Sequence, residues 1–287
     1  MSFFCYFASS AFALMISYYP MVAFSGETSP ANNELTPLVV TAKGGFPEPY
    51  HSTAWSITSL ETKSNAGTAR SLPEALSGIP SILIQKTALG QSSPYIRGLT
   101  GYHNLLLVDG IRLNHSAMRS GPNQYWSTVE FFGSDRTEVL RGANGVLYGA
   151  DAVGGIVNSL SSDPYFSDSK KIQMVDILGR ISSAEHSWST GFSTVFSSPK
   201  WFAEISHIER SFGDLEGGKN IGQQNNTGYD GRGTRLRLSR KLSDDSNLVI
   251  GLQETFMDDV PRTHKTTDGL DWEGLSKGSE IWRRLDQ

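Results

Sequence analysis

Residues 96–158 constrain most strongly what this chain can become. Three runs in this stretch are short and apolar: Leu105-Leu106-Leu107-Val108, Thr137-Glu138-Val139-Leu140 and Gly155-Ile156-Val157-Asn158-Ser159. Glycines punctuate them at Gly98, Gly110, Gly142, Gly149 and Gly154. Runs of this length between breakers read as buried strands. Asp109-Gly110, set between 105–108 and 111–113, is the signature of a two-residue hairpin. Three charges, Arg97, Glu138 and Arg141, stand where a core should be apolar. A buried charge without a partner costs several kcal/mol. The sheet therefore has to meet polar groups, within its own domain or on another body.

Helix signals interleave with these strands. Trp55-Ser56-Ile57-Thr58 reads as a strand. Ser71-Leu72-Pro73-Glu74 is a capping box with proline in the first turn; Gly78 stops that helix and Pro80 prevents its resumption. Ser81-Ile82-Leu83-Ile84-Gln85 is the next strand. Ser127-Thr128-Val129-Glu130 is a second capping box, expected to open a helix of about two turns that ends near Gly133. The sum is a small α+β domain over 51–163, an ordinary size for one domain.

From Lys171 onward the helix signals vanish. Five segments of alternating polarity follow, at 171–181, 187–197, 200–210, 231–240 and 247–256. Their length matches the ~9–11 residues of a transmembrane β-strand. Leu236 and Leu238 fall on one face of the fourth, with Arg235 and Arg237 on the other. In the second, Trp188, Phe192 and Phe196 share a face with Thr190 and Thr194. In the fifth, Leu248, Ile250 and Leu252 share a face. An ordinary sandwich strand with one wet face alternates in the same way, so the connections discriminate better. Ser198-Pro199 and Ser243-Asp244-Asp245-Ser246 are short turns, whereas 211–230 and 258–277 are long and polar. Alternating short and long connections are the pattern of an outer-membrane barrel.

The first 25 residues carry no charge, and Ala23-Phe24-Ser25 precedes Gly26. This reads as a secretory signal peptide with small residues at its cleavage site. The missing basic start leaves a transmembrane helix or a misassigned start codon as alternatives. Cys5, the single cysteine, lies inside it, so a cleaved chain has no disulfide or thiol chemistry. Residues 26–50 form a polar, proline-bearing leader with one β-branched patch, Leu38-Val39-Val40-Thr41-Ala42. A short strand between flexible segments suits addition to another protein's sheet edge.

Catalytic chemistry finds no foothold. The net charge of -4 and pI near 5.9 give no sign of a nucleic-acid partner. Gly142, Gly145, Gly149, Gly154 and Gly155 lack the Gly-Lys-Ser/Thr of a phosphate loop and read as tight turns. His103 and His115 have no metal-site spacing. Asp258, Asp259, Asp268 and Asp271 could bind calcium but read as a solvated acidic loop. Neither a cofactor nor a resident metal is expected.

The order and spacing of Ile96-Arg97-Gly98, Val108-Asp109-Gly110, Glu138-Val139-Leu140-Arg141-Gly142, Leu147-Tyr148-Gly149 and Gly154-Gly155-Ile156-Val157-Asn158 closely resemble the plug domain of TonB-dependent outer-membrane receptors. The resemblance implies an α+β plug followed by antiparallel transmembrane β-strands, an incomplete portion of a barrel of about 22 strands. It divides the chain into a signal peptide at 1–25, a leader with TonB box at 26–50, a plug at 51–163 and barrel strands at 164–287. At ~10 residues per strand a whole barrel needs several hundred residues after the plug, so the chain is expected to be an N-terminal fragment. The resemblance makes Leu35, Thr36, Leu38, Val39 and Val40 the TonB-binding segment. It makes Arg97, Glu138 and Arg141 plug–barrel contacts. Two plug loops, 88–95 and 114–126, would face the extracellular mouth, with Gln91, Tyr95, Arg119, Gln124, Tyr125 and Trp126 as substrate contacts. The implied activity is import, energised by TonB, of a scarce nutrient. A ferric siderophore or similar metal chelate leads, with haem or cobalamin as alternatives. A non-transporting adhesin and a soluble periplasmic binding module are the rivals from other classes. No signalling domain is expected between the signal peptide and the Leu35–Val40 segment, which are about ten residues apart.

Overall fold

The computed structural model describes residues 38–62, 65, 68–115, 120–168, 171–217, 222–244, 246–258, 260–261 and 285–286. The expected signal peptide and the leader up to Pro37, including Leu35 and Thr36, lie outside the described residues. Two short strands open the described chain: β1 (Leu38–Val39) and β2 (Glu48–Pro49), an antiparallel pair. Then come β3 (Ile57–Glu61), α1 (Leu72–Ala75), β4 (Ile82–Ala88), β5 (Gln91–Ile96), β6 (Asn104–Val108), β7 (Ile111–Arg112), β8 (Arg136–Arg141), α2 (Gly145–Tyr148) and β9 (Gly155–Leu160). The order β3-β8-β9-β6-β7 makes one five-stranded sheet, parallel at β6–β9 and antiparallel elsewhere. Asp109 and Gly110 both adopt positive φ between β6 and β7, as a hairpin turn of this length requires.

Alternation along these strands builds two apolar layers. Leu106, Val139 and Val157 face a cluster completed by Leu72, Leu76, Ile96, Trp126 and Phe131. Leu105, Leu107, Leu140 and Ile156 face the other side, where Val39 and Ala42 cover them. The expected leader strand is therefore part of the core and not an isolated segment. Val39 is 1% exposed.

The first capping box coincides with the start of α1, but neither of its two hydrogen bonds forms: Glu74 accepts from the backbone of Arg70, and the Ser71 hydroxyl meets Ser92. The second box fails. A 3-10 turn occupies Gln124–Thr128, with the Asn123 side chain accepting from the Tyr125 N–H. Residues 129–133 are non-helical.

The five predicted barrel segments are β10 (Ile172–Ser182), β11 (Ser187–Ser197), β12 (Trp201–Phe212), β15 (Tyr229–Lys241) and β16 (Asn247–Asp258). A small hairpin, β13 (Leu215–Gly217) with β14 (Gly222–Gln224), fills the long connection between β12 and β15. The two-residue β17 (Leu285–Asp286) pairs with the end of β16. All neighbours in this sheet run antiparallel.

One face of the wall is a slanted apolar belt. Ile250 stands level, through the register, with Leu238, Ala203, Phe196 and Gln173. On β16 the exposed apolar run is Leu248, Ile250 and Leu252; on β10 it is Val175, Ile177 and Ile181, several positions further along. Strands ~4.8 Å apart and tilted ~40° displace a membrane-parallel belt by roughly one residue per strand, or about five over four steps. The displacement from β16 to β10 matches that geometry. The opposite face of the wall carries the small and charged side chains, and it packs on the plug.

Candidate functional site

The wall strands present their polar face to the plug: Glu204, Ser206 and Arg210 from β12, and Arg235 and Arg237 from β15. Arg210 forms a two-pronged ion pair with Glu130, Nη1 to Oε2 at 2.5 Å and Nη2 to Oε1 at 2.8 Å. Glu130 is 3% exposed. Burial pushes its carboxyl up, but the charge and hydrogen bonds of Arg210 outweigh this and hold it below the ordinary range. Arg235 grips the same turn by its backbone. Its Nη1 donates to Gly133 O at 3.0 Å and Ser134 Oγ at 3.1 Å, and its Nη2 donates to Glu130 O at 3.2 Å. Glycine makes this approach possible on both sides. A Cβ on Gly233 of the wall would strike the Glu130 carboxylate, and one on Gly133 of the plug would strike the Ser206 hydroxyl.

These partners explain the missing helix. The Glu130 side chain is committed to Arg210 and its carbonyl to Arg235, so long-range pairing overrides the local cap. The Glu130 carboxylate also accepts from Phe132 N at 2.7 Å, which closes the turn on itself.

Glu138, expected at the plug–barrel contact, lies inside the plug at 0% exposure. Its carboxylate accepts from Val40 N at 3.1 Å, Thr41 N at 2.8 Å and Arg136 Nε at 3.0 Å. Thr41 is held further by Asn158, whose amide donates to its hydroxyl, and by Tyr148, whose hydroxyl donates to its carbonyl. The reason is alternation: Glu138 shares a face of β8 with Leu140, under the leader. Arg141 donates to Pro80 O and Thr58 Oγ1, also within the plug. Arg97 is exposed, with its guanidinium against Gly142. No barrel partner is seen for Arg97, Glu138 or Arg141 among the described residues.

The expected substrate residues divide. Trp126 is 0% exposed in the plug core, because the 3-10 turn points it inward. Gln91 is 2% exposed, and its amide reaches the carbonyls of Val260 and Pro261 at 3.5 Å. Both are corrected from substrate contacts to structural ones. The loop expected at 88–95 is instead the β4–β5 hairpin, whose tip residue Leu89 packs on Phe212, Tyr229 and Met257. Tyr95 is half-buried, its hydroxyl on Gln85, and Tyr125 meets His115 edge-on. Arg119 and the Gln124 side chain lie outside the described residues. Arg210 and Arg235 were not among the expected site residues; alternation with Leu236 and Leu238 set Arg235 apart on the opposite face, whereas Arg210, between Glu209 and Ser211, carries no such signal.

A second tie joins the plug to the β10–β11 turn, where Arg70 Nε donates to Glu185 Oε1 at 3.2 Å. Burial pushes the Glu185 carboxyl up. Hydrogen bonds from Ser187, Ser182 and Arg180 and the charge of Arg70 outweigh it, and the group is held down to about 2 against an ordinary 4.5. A depressed carboxylate contributes stability that is full above 4.5 and lost as pH falls towards 2. The melting temperature of the Glu185→Gln variant is therefore expected to fall less than that of the parent across this acid window. Equal pH slopes would remove Glu185 from the account.

The TonB-dependent Receptor Plug Domain family matches residues 51–156. The vitamin B12 transporter BtuB of Photobacterium profundum is 31% identical over 155 residues, which are 53% of this chain and 24% of that protein. Among solved structures, the FrpB iron transporter from Neisseria meningitidis (F3-3 variant) superposes with a TM-score of 0.62 at 15% identity, over 81% of this chain and 37% of that one. The pyoverdine outer membrane receptor FpvA from Pseudomonas aeruginosa PAO1 gives 0.59 at 18% identity, over 78% and 30%. The chain thus spans well under half the length of the proteins it matches. A plug sheet with its motifs in order, clamped to an antiparallel wall with a slanted apolar belt, agrees with these matches: residues 51–156 match the TonB-dependent receptor plug domain, and plug and wall together have the fold of the plug and part of the barrel of such outer-membrane receptors.

Proposed function

We propose that this chain serves a receptor that imports a scarce nutrient across the outer membrane, with the leader strand near Val39 as the handle that periplasmic TonB takes. The observation that carries this reading is the docked leader: a strand of two residues with Val39 in the core, followed by Val40 and Thr41, whose N–H groups donate to one carboxylate, at the start of a plug that is otherwise clamped to the wall. Such a segment is held well enough to be ordered and weakly enough to be drawn out. TonB would add the freed segment as a strand, by backbone pairing. Nothing is chemically converted; cargo passes when the plug rearranges. Arg97 and Arg141, at the plug surface, are proposed to meet further wall, and Tyr95 and Tyr125 to contact cargo.

The cargo class is a metal chelate, with a ferric siderophore first. Pyoverdine and iron receptors among the structural neighbours support it. Cobalamin is the second reading, favoured by the vitamin B12 transporter among the sequence relatives. A direct test is Val39→Pro, which removes a backbone donor that strand addition uses. Crosslinking of the leader to TonB is expected to be lost while nutrient binding at the outer face persists. Crosslinking at the parent's level would refute the handle.

A further inference from the structure

Among the described residues, two cavities along the seam between plug and wall flank the Arg235 clamp. One, of about 490 Å³, lies between the β6–β7 hairpin and the inner face of β15 and β16. The other, of about 460 Å³, is lined by Asp135, Asp163, Asp176 and Glu204. The first has the size of a small-molecule site. Val108, Ile111, Leu113 and Val249 give it apolar walls, and Arg237 projects from β15 into its lining.

Arg237 is the unusual member. Its side chain is only 13% exposed, yet Nε and Nη1 make no hydrogen bond. Asp109 Oδ1 is 4.0 Å from Nη1, and the Asp109 carboxylate is already occupied by Ser161, which donates through N and Oγ at 2.7 Å each. Glu204, directly across the register on β12, turns to Ser162 on the other cavity. A guanidinium presents its donors as a planar fork that matches an oxyanion. With no protein acceptor at hydrogen-bond distance among the described residues, the Arg237 guanidinium leaves its charge to be answered at the cavity by an oxyanion from outside the chain.

We infer that the cavity beside Arg237 binds a carboxylate carried on an apolar body. The oxyanion meets the Arg237 guanidinium where it lines the cavity, and the apolar part lies along Val108, Ile111, Leu113 and Val249. The site is a halting place inside the seam, separate from the outer mouth. The carboxylates of the neighbouring cavity repel the same ligand and confine it to the β15–β16 side. This deepens the import reading and rests on it, since it makes the travelling cargo an anion.

Gly251 supplies the test. It faces Arg237 across the register, and a Cβ there would meet open space. Gly251→Leu therefore fills the cavity and leaves the charge in place, while Arg237→Gln removes the charge and leaves the space. The probe is 2-naphthoate, with uncharged 2-naphthamide as its control, titrated by fluorescence anisotropy into the purified full chain in nonionic detergent. Naphthoate is expected to bind, and each substitution to raise its dissociation constant at least tenfold. Unchanged naphthoate binding in both variants, or equal binding of naphthamide, would overturn the site. TonB crosslinking through the leader is read in the same samples. Its retention in both variants, with naphthoate binding lost, supports the site. Its absence in the parent, with naphthoate bound, would remove the import reading and leave an anion site standing.

Discussion

Replacing Glu130 with alanine is expected to destabilise the plug on its wall by about 3–5 kcal/mol, the usual result of removing one partner of a buried ion pair. The loss is large because of what remains. Arg210 keeps its charge, buried against the Phe131 ring at 5.9 Å, with no carboxylate to answer it. The 129–133 turn loses the carboxylate that closes it through Phe132 N. Arg235 would still hold the carbonyls of Glu130 and Gly133, so the plug loosens without being expelled. The measurement is denaturant unfolding of the chain in detergent, together with protease cleavage within 129–133. The exchange of charges, Glu130→Arg with Arg210→Glu, is expected to recover part of the loss, because the pair is direct. A Glu130→Ala variant as stable as its parent would mean that the clamp contributes nothing.

The same pair has a pH signature with a fixed sign. The Glu130 carboxyl is held below its ordinary value. Its contribution is therefore present in full above the ordinary carboxylate range and lost as acid reaches the lowered one. The hold of plug on wall is therefore expected to loosen on the acid side.

How much of this could be read from residues alone depended on the range of the interaction. Barrel strands were legible because burial on one side imposes a period of two. The separation of Leu236 and Leu238 from Arg235 and Arg237 onto opposite faces followed from that period, whereas the plug strands were legible as short apolar runs between glycine breakers. The 127–130 box was misread because its glutamate has a partner, Arg210, eighty residues on. No local pattern reveals such a partner. Gln91 and Trp126 were misread for a related cause: polar and amphipathic residues in a presumed loop suggest solvent, whereas a hairpin and a 3-10 turn carried both inside. The leader's docking was hidden for a further reason. Its partner strand is two residues long and ends in Pro49, below the length at which alternation can be seen.

Glu138 is the residue on which release of the handle is expected to turn. Its carboxylate accepts two successive backbone N–H groups of the leader, and nothing else in the described plug accepts from either. Hydrogen bonds to a charged group contribute roughly 1.5–3 kcal/mol each. Glu138→Gln keeps the volume, gives up the charge and leaves Arg136 facing an amide. The docked leader is then expected to open at least about tenfold more often, which corresponds to ~1.4 kcal/mol. A cysteine at position 39 reports this directly, because Val39 is buried when docked. In the Val39→Cys background, thiol labelling should be slow with Glu138 and faster by that factor with Gln. A cysteine at the exposed Leu38 should label at the same rate in both, and a Leu140→Ala variant, which weakens the layer beneath, should speed labelling only at position 39. If the Glu138→Gln substitution leaves labelling at 39 unchanged while the plug remains folded, the carboxylate is not the latch, and apolar contact through Val39 and Ala42 alone holds the leader down. If labelling rises and TonB crosslinking rises with it, then docking is the barrier that TonB must wait for, and one side chain sets its height.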